Sequence, residues 1–117
     1  GGTRTASITG GFVALYLAMQ KMVKDGKLSD NPIREYVAAV SCGICHGVPV
    51  LDLDYDEDSH ADADTNFVLT ESGKIVEIQA TAEGAVFDKN KFNELFCLAE
   101  KGVNHLISVQ KKAIDRG

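Results

Sequence analysis

The 117 residues suffice for one domain with one hydrophobic core and are too few for two. At 44% hydrophobic, 25% charged and 7% aromatic, the chain has the composition of a folded globular protein; no apolar run approaches the roughly 18 residues of a membrane span, and no signal-peptide pattern is visible. Three cysteines, an odd number, argue against a disulfide framework and for a reducing cytoplasm, while the net charge of −5 argues at first against nucleic acid as a partner.

Gly1-Gly2-Thr3-Arg4-Thr5 reads as a loop preceding a helix, and the chain opens there without a methionine. The helix is predicted over residues 8–24, with Ile8, Phe12, Leu15, Tyr16, Met19 and Val23 at helical spacing. Ala6, Gly10, Ala14 and Ala18 form a stripe of small residues suited to close approach against a sheet or helix. Thr5 or Ser7 is a candidate cap, and Gly26 is placed to end the helix in a left-handed turn. Lys27 to Pro32 reads as loop. Strands are predicted over Tyr36–Cys45 and Val48–Asp54 about a His46-Gly47 turn, and over Thr65–Thr70 and Lys74–Gln79 about Ser72-Gly73. A last helix runs from an Asp88 N-cap to Ala113, its apolar face carrying Phe92, Leu95, Phe96, Ala99, Val103, Leu106, Ile107 and Ile114. The fold class is therefore α+β: helix, four mainly antiparallel strands, helix.

The charge is concentrated in one place. Asp52, Asp54, Asp56, Glu57, Asp58, Asp62 and Asp64 lie within residues 52–64 without a lysine or arginine, leaving ten acids against twelve bases elsewhere. In a single extended strand Asp58 and Asp64 would stand about 20 Å apart, so a shared ion requires the chain to fold back between them. Ser59-His60-Ala61 is short and permissive enough for that bend. Hard carboxylate oxygens at such a bend suit Mg²⁺ or Mn²⁺. A calcium loop counted from Asp52 fails, with Glu57 at its sixth position and Ala63 at its twelfth. An isolated run of this kind is most often a solvated loop; its companions favour the metal.

Those companions begin with the opening segment. Glycines there admit an anion to backbone N–H groups, the helix dipole favours negative charge, and Arg4 adds a forked donor, so phosphate is the natural guest of Gly2, Thr3 and Arg4. By contrast, Cys42-Gly43-Ile44-Cys45-His46 matches a haem-attachment pattern but sits in a hairpin that turns the two thiols to opposite faces. Zinc is disfavoured because Cys97 falls in a helical apolar stripe, and buried, inert thiols are expected. His105 is expected on a helix surface and His46 in a turn; His60 either tunes the acidic site or faces solvent.

With these residues assembled, the chain resembles the ribonuclease PH family of phosphate-dependent exoribonucleases, over what would be the C-terminal half of a member. The resemblance rests on residues 1–10 (Gly-Gly-Thr-Arg-Thr-Ala-Ser-Ile-Thr-Gly), 50–55 (Val-Leu-Asp-Leu-Asp-Tyr), 57–66 (Glu-Asp-Ser-His-Ala-Asp-Ala-Asp-Thr-Asn) and 81–84 (Thr-Ala-Glu-Gly). It implies a sheet-and-helix unit related to one domain of a ribosomal protein, assembled in hexameric rings. It divides residues 1–117 into a phosphate loop and helix (1–26), a sheet with the acidic metal loop (36–80) and a C-terminal helix (88–114). The implied activity is phosphorolysis of tRNA 3′ ends, releasing nucleoside diphosphates. Gly2, Thr3 and Arg4 take the phosphate-binding role, and Asp58 and Asp64 the catalytic and Mg²⁺-binding (or Mn²⁺-binding) one, with Asp62 as a helper; whether one carboxylate protonates the leaving oxygen stays open. Cys42, Cys45, His60 and Thr65 depart from the usual family residues without removing a ligand.

The resemblance also implies RNA as partner, no membrane, and a missing N-terminal half, or a second chain, that supplies further basic surface. The 117 residues alone are then expected to be neither stable nor active. The alternative is a non-catalytic RNA-binding or ring-building subunit of an exosome-like assembly, against which Arg4, Asp58 and Asp64 stand jointly.

Overall fold

Left-handed residues punctuate the chain at its turns. The computed structural model describes residues 2–51, 62–82 and 86–116. Helix α1 (Gly2–Lys24) ends in a Schellman arrangement: Gly26, at φ 78°, donates to the Val23 carbonyl and Lys27 donates to that of Met22, at 3.1 and 2.8 Å. Strands β1 (Val37–Cys45) and β2 (Val48–Leu51) are joined by His46 and Gly47 at φ 53° and 77°, a two-residue turn whose twist matches a hairpin. Strands β3 (Ala63–Thr70) and β4 (Ile75–Ala82) meet around Gly73 at φ 86°. In helix α2 (Lys89–Arg116) the Asp88 carboxylate accepts from the Lys91 amide at 2.9 Å, the expected N-cap.

The sheet runs β2-β1-β3-β4 and every pairing is antiparallel, which bears out the α+β reading. Strand alternation divides it into two faces. Ala38, Val40, Cys42 and Ile44 of β1, with Ala63, Phe67 and Leu69 of β3, pack against Leu95, Ala99, Val103 and Ile107 of α2. Phe67, Phe92 and Phe96 close this core with ring centroids 5.8–6.4 Å apart. Thr65 is buried among these residues and satisfies its hydroxyl on the Cys42 carbonyl at 2.8 Å.

Helix α1 occupies the edge of β1 that β2 leaves open. Among the described residues, strand β2 pairs with Cys42–Cys45. Beyond it the Thr9 hydroxyl takes both backbone groups of Ala39, accepting from its amide at 3.0 Å and donating to its carbonyl at 3.2 Å. Gln110 of α2, 2% exposed, ties the two helices to the strand by donating to the Thr9 and Val37 carbonyls at 3.0 and 2.9 Å. At the far side of the sheet β4 is an edge strand among the described residues, with Ile75 and Val76 exposed.

Several local expectations are corrected. The opening segment is the first turn of α1 rather than a loop before it, so Thr5 and Ser7 lie inside the helix and neither caps it. Anchoring of Thr5 and Thr9 to β1 outweighs the poor helix propensity of the leading glycines. The stripe Ala6, Gly10, Ala14 and Ala18 is exposed, as is Leu15; the helix meets the sheet through its threonines instead. Cys42 is buried and Cys45 partly so, but Cys97 is exposed on α2, outside the apolar stripe. His46 and His105 are exposed in a turn and on a helix, as expected.

Candidate functional site

The sheet face opposite the core is polar. Strand register sets three rows across it: Gly43–Asp64–Thr81, Ser41–Asn66–Gln79, and Ala39–Val68–Glu77. The start of α1 lies over this face. Thr5, 5% exposed, places its hydroxyl 3.4 Å from that of Ser41, and Ser41 Oγ donates to Asn66 Oδ1 at 2.8 Å. One helical turn further on, Thr9 sits at Ala39.

These two contacts fix the direction of the helix. Four helical residues rise about 6 Å and two strand residues about 7 Å, so helix and strand stay in step, running in opposite directions. Stepping back one more turn from Thr5 brings the N-terminus of α1 to the row of Gly43 and Asp64. The first N–H groups of a helix have no intrahelical acceptor and carry its positive dipole end. The structure thus points the positive end of the helix at the row that holds a half-buried carboxylate, beside a residue with no side chain.

Of the residues marked in the sequence, Gly2, Thr3 and Arg4 all lie in this first turn, with Thr3 exposed. Arg4 extends across the face and its Nη2 pairs with Glu77 Oε1 of β4. Asp64 projects from the middle of β3 on the same face, about 7 Å along the strand from Asn66. Asp62 stands just before β3 and its amide donates to the Ile44 carbonyl at 2.7 Å, extending the β1–β3 ladder. Asp58 and His60, with the rest of residues 52–61, lie outside the described residues.

Among the described residues no three His, Cys, Asp or Glu side chains gather as a metal cluster. Mg²⁺, however, is commonly held by one or two carboxylates together with waters and substrate phosphates, and Asp64 offers such an oxygen donor on the face where the helix start would receive phosphate. An oxygen donor of this kind suits Mg²⁺ or Mn²⁺.

Ser41, Asn66 and Glu77 join this face without having been marked. Asn66 shares the even-numbered alternation of Asp62 and Asp64, a signal present in the sequence. Glu77 enters through the register of β4 on β3, which shifts at Val68/Leu69 and leaves no local trace.

Comparison with known proteins agrees with this architecture. The profile of the 3′ exoribonuclease family, domain 2, matches residues 35–102. Ribonuclease PH of Neisseria gonorrhoeae is 60% identical over 114 residues, which cover 97% of this chain and 47% of that protein. Ribonuclease PH of Caulobacter vibrioides is 59% identical over 114 residues, covering 97% and 48%. The chain spans about half the length of these curated relatives. Among solved structures, an archaeal exosome core superposes with a TM-score of 0.60 at 21% identity, over 69% of this chain and 32% of that one. The Archaeoglobus fulgidus exosome with RNA bound to the active site gives 0.57 at 19%, over 74% and 35%, and these two likenesses bear on the fold. A helix, four antiparallel strands and a helix, matched by the profile and by relatives at this identity, show that the chain belongs to the 3′ exoribonuclease family.

Proposed function

We propose that this chain supplies the phosphate- and metal-binding half of a phosphate-dependent 3′→5′ exoribonuclease that trims tRNA 3′ ends. The carrying observation is the convergence of the α1 N-terminus, Arg4 and Asp64 on one polar sheet face. That it occurs in a chain about 60% identical to proteins named ribonuclease PH supports the reading. The working enzyme, in this proposal, unites the chain with the rest of the fold in a cytoplasmic homo-oligomeric ring of six.

In the reaction an oxygen of inorganic phosphate attacks the phosphorus of the terminal phosphodiester. A new P–O bond forms, the bond to the 3′ oxygen breaks, and that oxygen ends with the proton that the attacking hydrogen phosphate carried; the products are a nucleoside diphosphate and an RNA one residue shorter. Two anions must meet, so positioning and charge neutralisation dominate. Gly2, Thr3 and Arg4 hold the attacking phosphate through helix N–H groups and the guanidinium fork. Asp58 and Asp64 would hold Mg²⁺ or Mn²⁺, and such an ion would supply charge stabilisation for the leaving oxygen.

The test is Asp64→Asn in the assembled enzyme. Phosphate-dependent shortening of a tRNA precursor is expected to fall by about 100-fold or more, with an unchanged circular dichroism spectrum. Retained activity would overturn the reading. Product identity separates the alternatives: nucleoside diphosphates on adding phosphate support phosphorolysis, monophosphates in water alone indicate a hydrolase, and RNA binding without products indicates a ring-building subunit.

A further inference from the structure

We propose that Glu77 is a positioning residue that pre-orders the Arg4 guanidinium for the attacking phosphate. The inference rests on the phosphate-binding reading of Arg4 and adds a residue to that site.

Arg4 and Glu77 are 73 residues apart in sequence and belong to different layers, the first turn of α1 and the edge strand β4. Their side chains are 46% and 42% exposed, so solvent screens the pair and stability alone gives little reason for it. Its geometry offers a better one. An unrestrained arginine gives up rotamer entropy when it clamps a ligand. Glu77 imposes that order beforehand, and pre-ordering a binding group appears as affinity.

The row order makes this compatible with an incoming anion. Glu77 lies two rows, about 13 Å along the strand direction, from the Gly43–Asp64 row at which α1 begins. The carboxylate therefore holds the guanidinium from behind, on the side away from the helix start. It engages Nη2, and the remaining N–H donors of the five in the fork stay available for phosphate. Repulsion between carboxylate and phosphate is weakened by their separation and by the cation between them.

The experiment is steady-state kinetics with varied phosphate in the assembled enzyme. Glu77→Ala is expected to raise KM for phosphate about ten-fold, leaving kcat at saturating phosphate within about two-fold and KM for RNA unchanged. Glu77→Gln keeps an acceptor oxygen for Nη2 and should recover most of that loss, a rescue that a merely structural role would not produce. Arg4→Ala should raise phosphate KM by itself, and the double variant should match it, because Glu77 acts only through Arg4. If Arg4→Ala raises phosphate KM while Glu77→Ala leaves it unchanged or lowers it, the inference about Glu77 fails alone. If Arg4→Ala leaves it unchanged, the phosphate reading fails with it.

Discussion

At the scale of single residues, Thr9 holds α1 to the sheet through one oxygen. Its hydroxyl serves the amide and the carbonyl of Ala39 together, at an edge position that β2 does not reach. Thr9→Val keeps the shape and removes both bonds, leaving two partly buried backbone groups without that partner. A loss of about 1–3 kcal/mol is expected in a urea titration, and a loss below about 0.5 kcal/mol would mean that water replaces the hydroxyl there. Glu35 offers a second residue-scale prediction. Hydrogen bonds from Ser72, including its amide at 3.1 Å, hold the Glu35 carboxyl below its ordinary pKa. A depressed carboxylate contributes stability that is present above its unfolded-state pKa and lost as pH falls through its folded-state value. Glu35→Gln should therefore flatten part of the fall in Tm on acidification, by a small amount because the group is exposed.

At the scale of elements, Gly102 sets how closely α2 approaches the sheet. A Cβ there would lie 3.0 and 3.1 Å from the Leu51 methyls and 3.2 Å from Val40 Cγ1. Gly102→Ala gains about 1 kcal/mol of helix propensity but pushes on a packed contact that costs about 1–3 kcal/mol, so a net loss is expected. Gly11 of α1 meets nothing within 4 Å, and Gly11→Ala should stabilise by up to about 1 kcal/mol. Denaturant midpoints moving in opposite directions would verify the contrast. The strands and α2 were legible in the sequence because their signals are local: His46-Gly47 demands positive φ, Asp88 supplies a cap, and β3 alternates buried and half-buried residues from Ala63 to Phe67. The start of α1 was not, since glycines and threonines favour a loop until tertiary contacts with Ser41 and Ala39 bind them. Cys97 was misplaced because its neighbours Phe96 and Leu98 are apolar, yet the face toward the sheet runs through Leu95, Phe96, Ala99 and Val103 and leaves Cys97 exposed. Arg4 and Asp64 were legible as residue types in suggestive company. Their shared face, and the partnership of Arg4 with Glu77, depend on pairing between distant strands that no local pattern encodes.

At the scale of the whole molecule, the net charge of −5 is a local excess of acid on a slightly basic remainder. Seven carboxylates within residues 52–64 are a dense local charge, and an ion that binds the folded chain and not the unfolded one stabilises the fold. On the proposed reading, Mg²⁺ binding is therefore linked to stability. At ten times its dissociation constant the ion contributes about 1.4 kcal/mol, enough to raise the Tm of the assembled enzyme by a few degrees. Screening by any salt also weakens carboxylate repulsion, so the comparison must be made against NaCl at matched ionic strength. A specific site predicts a saturable rise with MgCl₂ beyond that control, reversed by EDTA and largely absent in Asp64→Asn. Diffuse attraction predicts the same modest rise in both proteins, scaling with the charge that remains. Because Asp64→Asn removes one charge of seven, a diffuse effect should persist almost intact in the variant, whereas a coordinated ion should lose most of its hold. An unchanged Mg²⁺ response in Asp64→Asn would thus reduce the acidic run to a solvated loop, whatever the activity of the enzyme that contains it.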